Sequence, residues 1–247
     1  MLSKLFVALL ATASAALAAP VTEKRDATSN LITQLMQANG AVARNQILAA
    51  AGNQTFAFDY NNPPSSAVVS SPAGKLVSAN SQTFPPLIGF DISLAFATVQ
   101  PCGLILPHLH PRAEEFLFVT EGEFFTQFIS ETGGVLITNE LKTNEGTMFP
   151  RGSIHLEYND CCTPAAFVAA FNSNDPGVSF IAPNFFSLDD QVLLASLGVD
   201  AVISGQDLET IRHAIPADLA TSVQQCLQKC NIKPNSKRSL AEVFAKV

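Results

Sequence analysis

The chain has 247 residues and a formal net charge of −7; 47% of its side chains are apolar and 14% charged. That length suffices for one domain with a sizeable core. An acidic chain without a basic run does not suit nucleic acid, and beyond the first residues no apolar stretch reaches spanning length, so we expect no nucleic-acid partner and no membrane span.

Residues 1–19 place Lys4 ahead of the apolar run LFVALLATASAALAA and end in small residues, the pattern of a secretory signal peptide cut near Ala18 or Ala19. Residues 20–25 end on the dibasic pair Lys24 and Arg25, a candidate processing site closing a short propeptide. Losing residues 1–25, with Lys4, Lys24 and Arg25 against Glu23, takes the net charge from −7 to −9. An N-terminal extension, 26–55, follows. Within it Leu31, Leu35, Ile47 and Leu48 lie among alanines and predict a helix broken near Gly40. Asn53 begins the only N-x-S/T sequon and is a candidate glycosylation site.

From Phe56 to Phe186 the pattern becomes one of short strands. NNPPSS is a loop; KLVSANSQTF, LIGFDISLAFATVQPCG and AAFVAAF are strand-like, and GGVLITNELKTNEGTMFPRG predicts a hairpin and a further strand. Short antiparallel strands separated by Gly and Pro turns indicate an all-β jelly-roll barrel over 56–186. Three of the four histidines, His108, His110 and His155, fall in two stretches of this region, CGLILPHLHPRAEEFLFVTEG and PRGSIHLEYN. Residues i and i+2 of a strand share a face, so His108 and His110 can aim at one point. Glu115 has the wrong parity for the same strand, but a turn at Pro111 into a neighbouring strand, about 4.8 Å away, would bring its carboxylate back to the imidazoles. Glu121 and Gly122 predict entry to a second hairpin, and Gly152 a tight bend that sets His155 on the next strand. Glu114 is expected to be a solvated charge, Gly122 and Asn159 turn or strand-end residues.

A C-terminal helical extension, 187–232, contains SLDDQVLLASLG, SGQDLETIRHA and PADLATSVQQCLQKC, each with an opening signal: Ser187, Ser204 with Asp207, and Pro216. His213 is read as a surface or packing residue. The polar tail is 233–247. All five cysteines, Cys102, Cys161, Cys162, Cys226 and Cys230, are disulfide candidates in a secreted chain, and an odd count leaves at least one thiol free or paired between chains. Cys226 and Cys230, one helical turn apart, can bridge each other or staple the last helix to Cys161 or Cys162.

The order H-x-H, four residues, Glu, six residues, Gly, followed by P-x-G-x-x-H-x-x-x-N, resembles the two motifs of the cupins. PHLHPRAEEFLFVTEG is similar to the germin and germin-like branch, which includes the fungal spherulin-like proteins. The resemblance implies a single cupin barrel whose metal ligands are His108, His110, Glu115 and His155, with Glu115 rather than Glu114 as the ligating carboxylate. It implies manganese, although three imidazoles and a carboxylate also suit Fe2+ or Zn2+. It further implies a secreted protein of the extracellular space or cell wall that forms a homo-oligomer, a trimer or hexamer. The expected activity is superoxide dismutase-type chemistry on a small-molecule substrate at the metal centre itself. The alternative is a non-enzymatic, spherulin-like structural or coat protein with a structural metal. Oxalate oxidation ranks third, because Ile105 stands where oxalate oxidases of the germin family carry asparagine, and Ile88 falls near a second such position. Cys102 departs from the glycine usual at its place.

Overall fold

A computed structural model describes residues 29–198, 205–221 and 223–233. The predicted leader and dibasic pair, Ser204 and the tail past Lys233 lie outside them. The described chain begins with helix α1 (29–37) and α2 (Ala41–Ala50), separated at Gly40 with φ 92°, as the sequence predicts. They bury Leu35 and Leu48. Asn53 is exposed at the start of a 3₁₀ turn, Asn53–Phe56.

Twelve strands follow: β1 (Val68–Ser71), β2 (Gly74–Ala79), β3 (Ser93–Val99), β4 (Gly103–Leu109), β5 (Glu115–Glu121), β6 (Glu123–Ile129), β7 (Ile137–Lys142), β8 (Gly146–Phe149), β9 (Ile154–Tyr158), β10 (Ala165–Phe171), β11 (Ser179–Phe180) and β12 (Leu219–Thr221). They form two antiparallel sheets. One has the order β1-β2-β3-β10-β5-β8; the other runs β11-β4-β9-β6-β7, with β12 also on β4. Alternation within strands sends one set of side chains into the space between the sheets. On β3 the pattern is strict, with Ser93, Ala95, Ala97 and Val99 buried. The core joins Ala95, Ala97 and Val99 to Leu117, Val119, Phe124, Phe149 and Phe167. This is the predicted jelly-roll barrel.

Two predicted hairpins are absent. Strands β4 and β5 belong to different sheets, so the Pro111 corner carries the chain across the barrel rather than back along a ladder. The corner's polar groups are met by the 172–176 segment: Arg112 N–H donates to Pro176 O (3.1 Å) and Glu114 N–H to Asn172 Oδ1 (2.9 Å). Likewise β5 and β6 lie in different sheets, separated by Gly122 alone. Gly122 has φ 77°, and a Cβ there would lie 2.7 Å from Ala165 Cβ. Only glycine passes this bend without strain. The predicted hairpin beyond Gly133 is also rearranged: β7 pairs back on β6, whereas β8 joins β5 in the opposite sheet.

After β11 come α3 (Ile181–Phe185), α4 (Asp190–Leu197), α5 (Gly205–Ala214) and α6 (Gln224–Lys229). The cap of α4 is Asp189, whose carboxylate accepts from Gln191 and Val192 N–H, and not Ser187. A carboxylate can meet two of the orphan N–H groups at once. Pro216 opens no helix. Leu219–Thr221 extends instead and pairs with Gly103–Ile105 of β4, covering an otherwise open sheet edge. Tertiary pairing here overrides local helical pattern.

Disulfides join Cys102 to Cys226 and Cys162 to Cys230, and Cys161 is the free thiol. Cys226 and Cys230 do not bridge each other. Helix α6 is thus stapled to the barrel at two points, one of them the predicted Cys162. Cys102 has φ 58°, a conformation that favours glycine, and is fully buried in its disulfide.

Candidate metal centre

His108 lies near the end of β4, His110 immediately after it, Glu115 at the start of β5 and His155 on β9, so the site draws on both sheets. All four side chains are buried, and one ligand atom from each lies within 4.8 Å of the others. The corner at Pro111 brings Glu115 to the imidazoles across the barrel, not along a hairpin.

Each imidazole is oriented through Nδ1 by a backbone carbonyl, His108 by Leu106 O (2.9 Å), His155 by Ser153 O (2.9 Å) and His110 by Gly177 O. A carbonyl only accepts, so each Nδ1 carries a proton. The Nε2 atoms are left to face the centre, the arrangement of metal-ligating histidines with their outer partners in place. Aromatic rings fix the planes: Phe149 stacks on His155 at 4.3 Å, and the ring of Phe171 lies edge-on to His110 at 4.7 Å.

Glu115 Oε2 is 3.0 Å from His110 Nε2 and 3.3 Å from His155 Nε2. These are ion-pair distances, yet Glu115 Oε2 and His155 Nε2 are buried without a hydrogen bond. Orphaned polar atoms of complementary donor type around one point fit a metal ion, which would satisfy them together. Burial pushes His108 down to about 3, aided by the neighbouring imidazoles of His155 and His110. Burial would raise the Glu115 carboxyl, but His110 and His155 more than offset this and hold it well below the usual carboxylate range. A neutral His108 and an ionised Glu115 are the protonation states that ligation requires.

Glu157, which the sequence reading did not single out, is a further buried titratable residue of the site. It follows His155 by two on β9 and is 1% exposed, opposite Ile105 of β4 and Thr126 of β6. Neither its two carboxyl oxygens nor Thr126 Oγ1 has a hydrogen-bond partner. Burial, then the charge of Glu115, pushes its pKa well above the ordinary value. Its signal in the sequence was parity with His155. Between the pairs Ile105–Glu157 and His108–His155, two residues of β4 face one of β9, a β-bulge that turns both Ile105 and His108 inward. Together these residues line a cavity of about 460 Å³ beside the centre.

The remaining expectations divide. Asn159 donates to Val99 O (3.0 Å) and Thr163 O (2.8 Å) and clamps a strand end, as expected. His213 is 79% exposed and contacts Glu209. Glu114, expected to be a solvated charge, is tied to Arg151 (3.0 Å) and Asn172.

A two-sheet jelly roll with three histidines and a glutamate converging between its sheets defines a metal-site cupin. The Cupin model matches residues 58–203, and the chain belongs to that family, in its germin-like, spherulin-type branch. Spherulin-1B of Physarum polycephalum is 34% identical over 94% of this chain and 92% of its own length. Germin-like protein subfamily 2 member 2 of Arabidopsis thaliana is 40% identical over 50% of this chain and 56% of its own. A solved oxalate oxidase superposes with TM-score 0.59 at 24% identity, covering 68% of this chain and 84% of its own, a likeness of fold.

Proposed function

We propose that His108, His110, Glu115 and His155 hold a manganese ion, and that the protein is a secreted metal-dependent oxidoreductase of the superoxide dismutase type. The observation that carries this is the convergence of four buried ligand atoms, with each imidazole oriented by a carbonyl behind it. Bound manganese supplies one-electron chemistry between two oxidation states, which dismutation of superoxide requires. The three histidines would offer their Nε2 atoms, and Glu115 would offset part of the ion's charge among buried side chains. Phe149 and Phe171 pack against the rings of His155 and His110 and would hold these two donors in place for the ion. Two disulfides and the signal-like leader support passage through an oxidising secretory route.

Oxalate oxidation is disfavoured by Ile105, which is buried and lines the cavity where a dianion would need polar partners. Similarity to Spherulin-1B along nearly the whole chain favours, as a second role, a structural protein whose metal braces the barrel.

The test is elemental analysis of protein secreted without added metal, followed by a superoxide assay on the same sample. We expect about one manganese per chain and measurable dismutation. His110→Ala and Glu115→Ala should each lose the metal while keeping the β-sheet circular dichroism spectrum; full stoichiometric metal in both variants would refute the ligand assignment. Manganese without turnover, with a melting temperature that falls on chelation, would favour the structural role.

A further inference from the structure

The chamber beside the His/Glu cluster has features that the one-electron chemistry leaves unused. Its volume of about 460 Å³ is that of a site for a small organic molecule, far more than a diatomic or a two-carbon acid occupies. Its walls include Leu76, Ile105, Phe167, Phe171, Phe180 and Leu219. Among the described lining residues the only Lys or Arg is Arg112, and it is already committed: its Nη2 donates to Asp175 Oδ1 at 2.9 Å and its Nε to Asp175 O at 2.8 Å. Four carboxyl groups, Glu115, Glu157, Asp175 and Asp218, line the same space. A dianion entering it would meet no free side-chain cation and several carboxyls.

Against these apolar walls Glu157 stands out. It is a fully buried side chain lining the cavity with neither oxygen hydrogen-bonded, and its register partner Thr126, also fully buried, has a hydroxyl without a partner. Groups directly opposite on adjacent antiparallel strands project from the same face. An unmet buried carboxyl and hydroxyl side by side are costly unless a ligand meets them.

We propose that this chamber binds a neutral molecule with an apolar body and a hydroxyl group, the hydroxyl hydrogen-bonding to Glu157 and the body lying against Ile105, Phe167 and Phe171. The inference goes beyond the redox reading and does not depend on it, because the residues that hold the ligand are not those that hold the ion. Ile105 and Glu157 face each other across the β4–β9 ladder, so one register position supplies both the apolar contact and the polar anchor.

Benzyl alcohol and toluene differ by one hydroxyl and make a matched pair of probes, with oxalate as the dianion. Calorimetric titration of the intact protein, as purified and after chelation, should show benzyl alcohol binding about tenfold more tightly than toluene, and oxalate more weakly than either. Glu157→Leu should remove the difference between benzyl alcohol and toluene, and Glu157→Gln, which keeps a hydrogen-bonding group, should retain most of it. Both variants should carry the same metal per chain as the parent. Equal binding of the two probes to the parent, a preference that survives in Glu157→Leu, oxalate as the tightest ligand, or loss of metal from Glu157→Leu would each overturn the proposal. Absence of metal from the parent would refute the manganese reading alone, while a benzyl alcohol preference in that same sample would still support the ligand assignment.

Discussion

At the scale of single residues, the buried charges set the acid behaviour of the metal-free protein. His108 is neutral when folded, with its pKa lowered to about 3, whereas an unfolded histidine titrates near 6.5. The folded state therefore takes up its proton later than the unfolded chain. Stability from this group is complete above about pH 6.5 and is lost as pH falls towards 3, at up to about 1.4 kcal/mol per pH unit for one proton. Glu157 has the opposite sign: its raised pKa makes the folded state less stable as pH rises from the ordinary carboxylate range through that raised value. Urea titrations of chelated protein from pH 4 to 8 should thus show a shallower acid loss in His108→Leu than in the parent. Glu157→Gln should be more stable than the parent at pH 7, with the gap closing towards pH 4.5. Parallel curves for all three proteins would contradict these assignments. Cys102 carries a different burden, a left-handed backbone that glycine would adopt without cost, retained where its sulfur joins Cys226.

At the scale of elements, the C-terminal region is held by covalent and ladder contacts together with an apolar cluster in which Cys226 and Leu227 pack on Tyr158. Strand β12 adds three residues to β4, and α6 is fixed by two bridges closing sequence separations of 124 and 68. Long loops of this kind stabilise chiefly by restricting the unfolded chain, typically about 2–4 kcal/mol each. The double variant Cys102→Ala, Cys226→Ala should lower the unfolding free energy by an amount in that range, read as a lower urea midpoint under non-reducing conditions; an unchanged midpoint would show the bridge to be idle. Gly122→Ala should destabilise by about 1–3 kcal/mol, since it puts a Cβ against Ala165 at a positive φ. Gly152, also at positive φ but with nothing near its missing Cβ, should cost less when changed to Ala.

At the scale of the molecule, both sheets supply residues to the His/Glu cluster, and the first also leaves apolar side chains exposed. On the first sheet Phe116 and Met148 are register partners that remain 53% and 48% exposed. An exposed apolar pair on a strand face, with Phe118 beside it, suits contact with another copy of the chain. We expect light scattering to give a multiple of the monomer mass, and Phe116→Glu with Met148→Glu to shift that mass downwards. A monomer at micromolar concentration for the parent would remove this expectation. Among the described residues no helix is long and apolar enough to cross a membrane.

The jelly roll was legible in the sequence because strand alternation and glycine and proline turns are local. The shared face of His108 and His110 is local too, but Glu115 and His155 joined them only through the resemblance to the cupin motifs, since Glu115 reaches the imidazoles across the barrel and not by the expected hairpin. The sequence also indicated an unpaired thiol by count alone. What only the tertiary structure decided is long-range. Which strands pair is set by burial of both sheets' inner faces, and this turned three expected hairpin relationships into sheet-to-sheet crossings. The same packing drew Leu219–Thr221 out of a predicted helix to cover β4, matched Cys102 with Cys226, and through a single bulge placed Ile105 beside Glu157 in the cavity. Parity along one strand can be read from neighbouring residues; the strand that lies opposite is chosen by the whole core, because closing the barrel buries apolar side chains from every part of it.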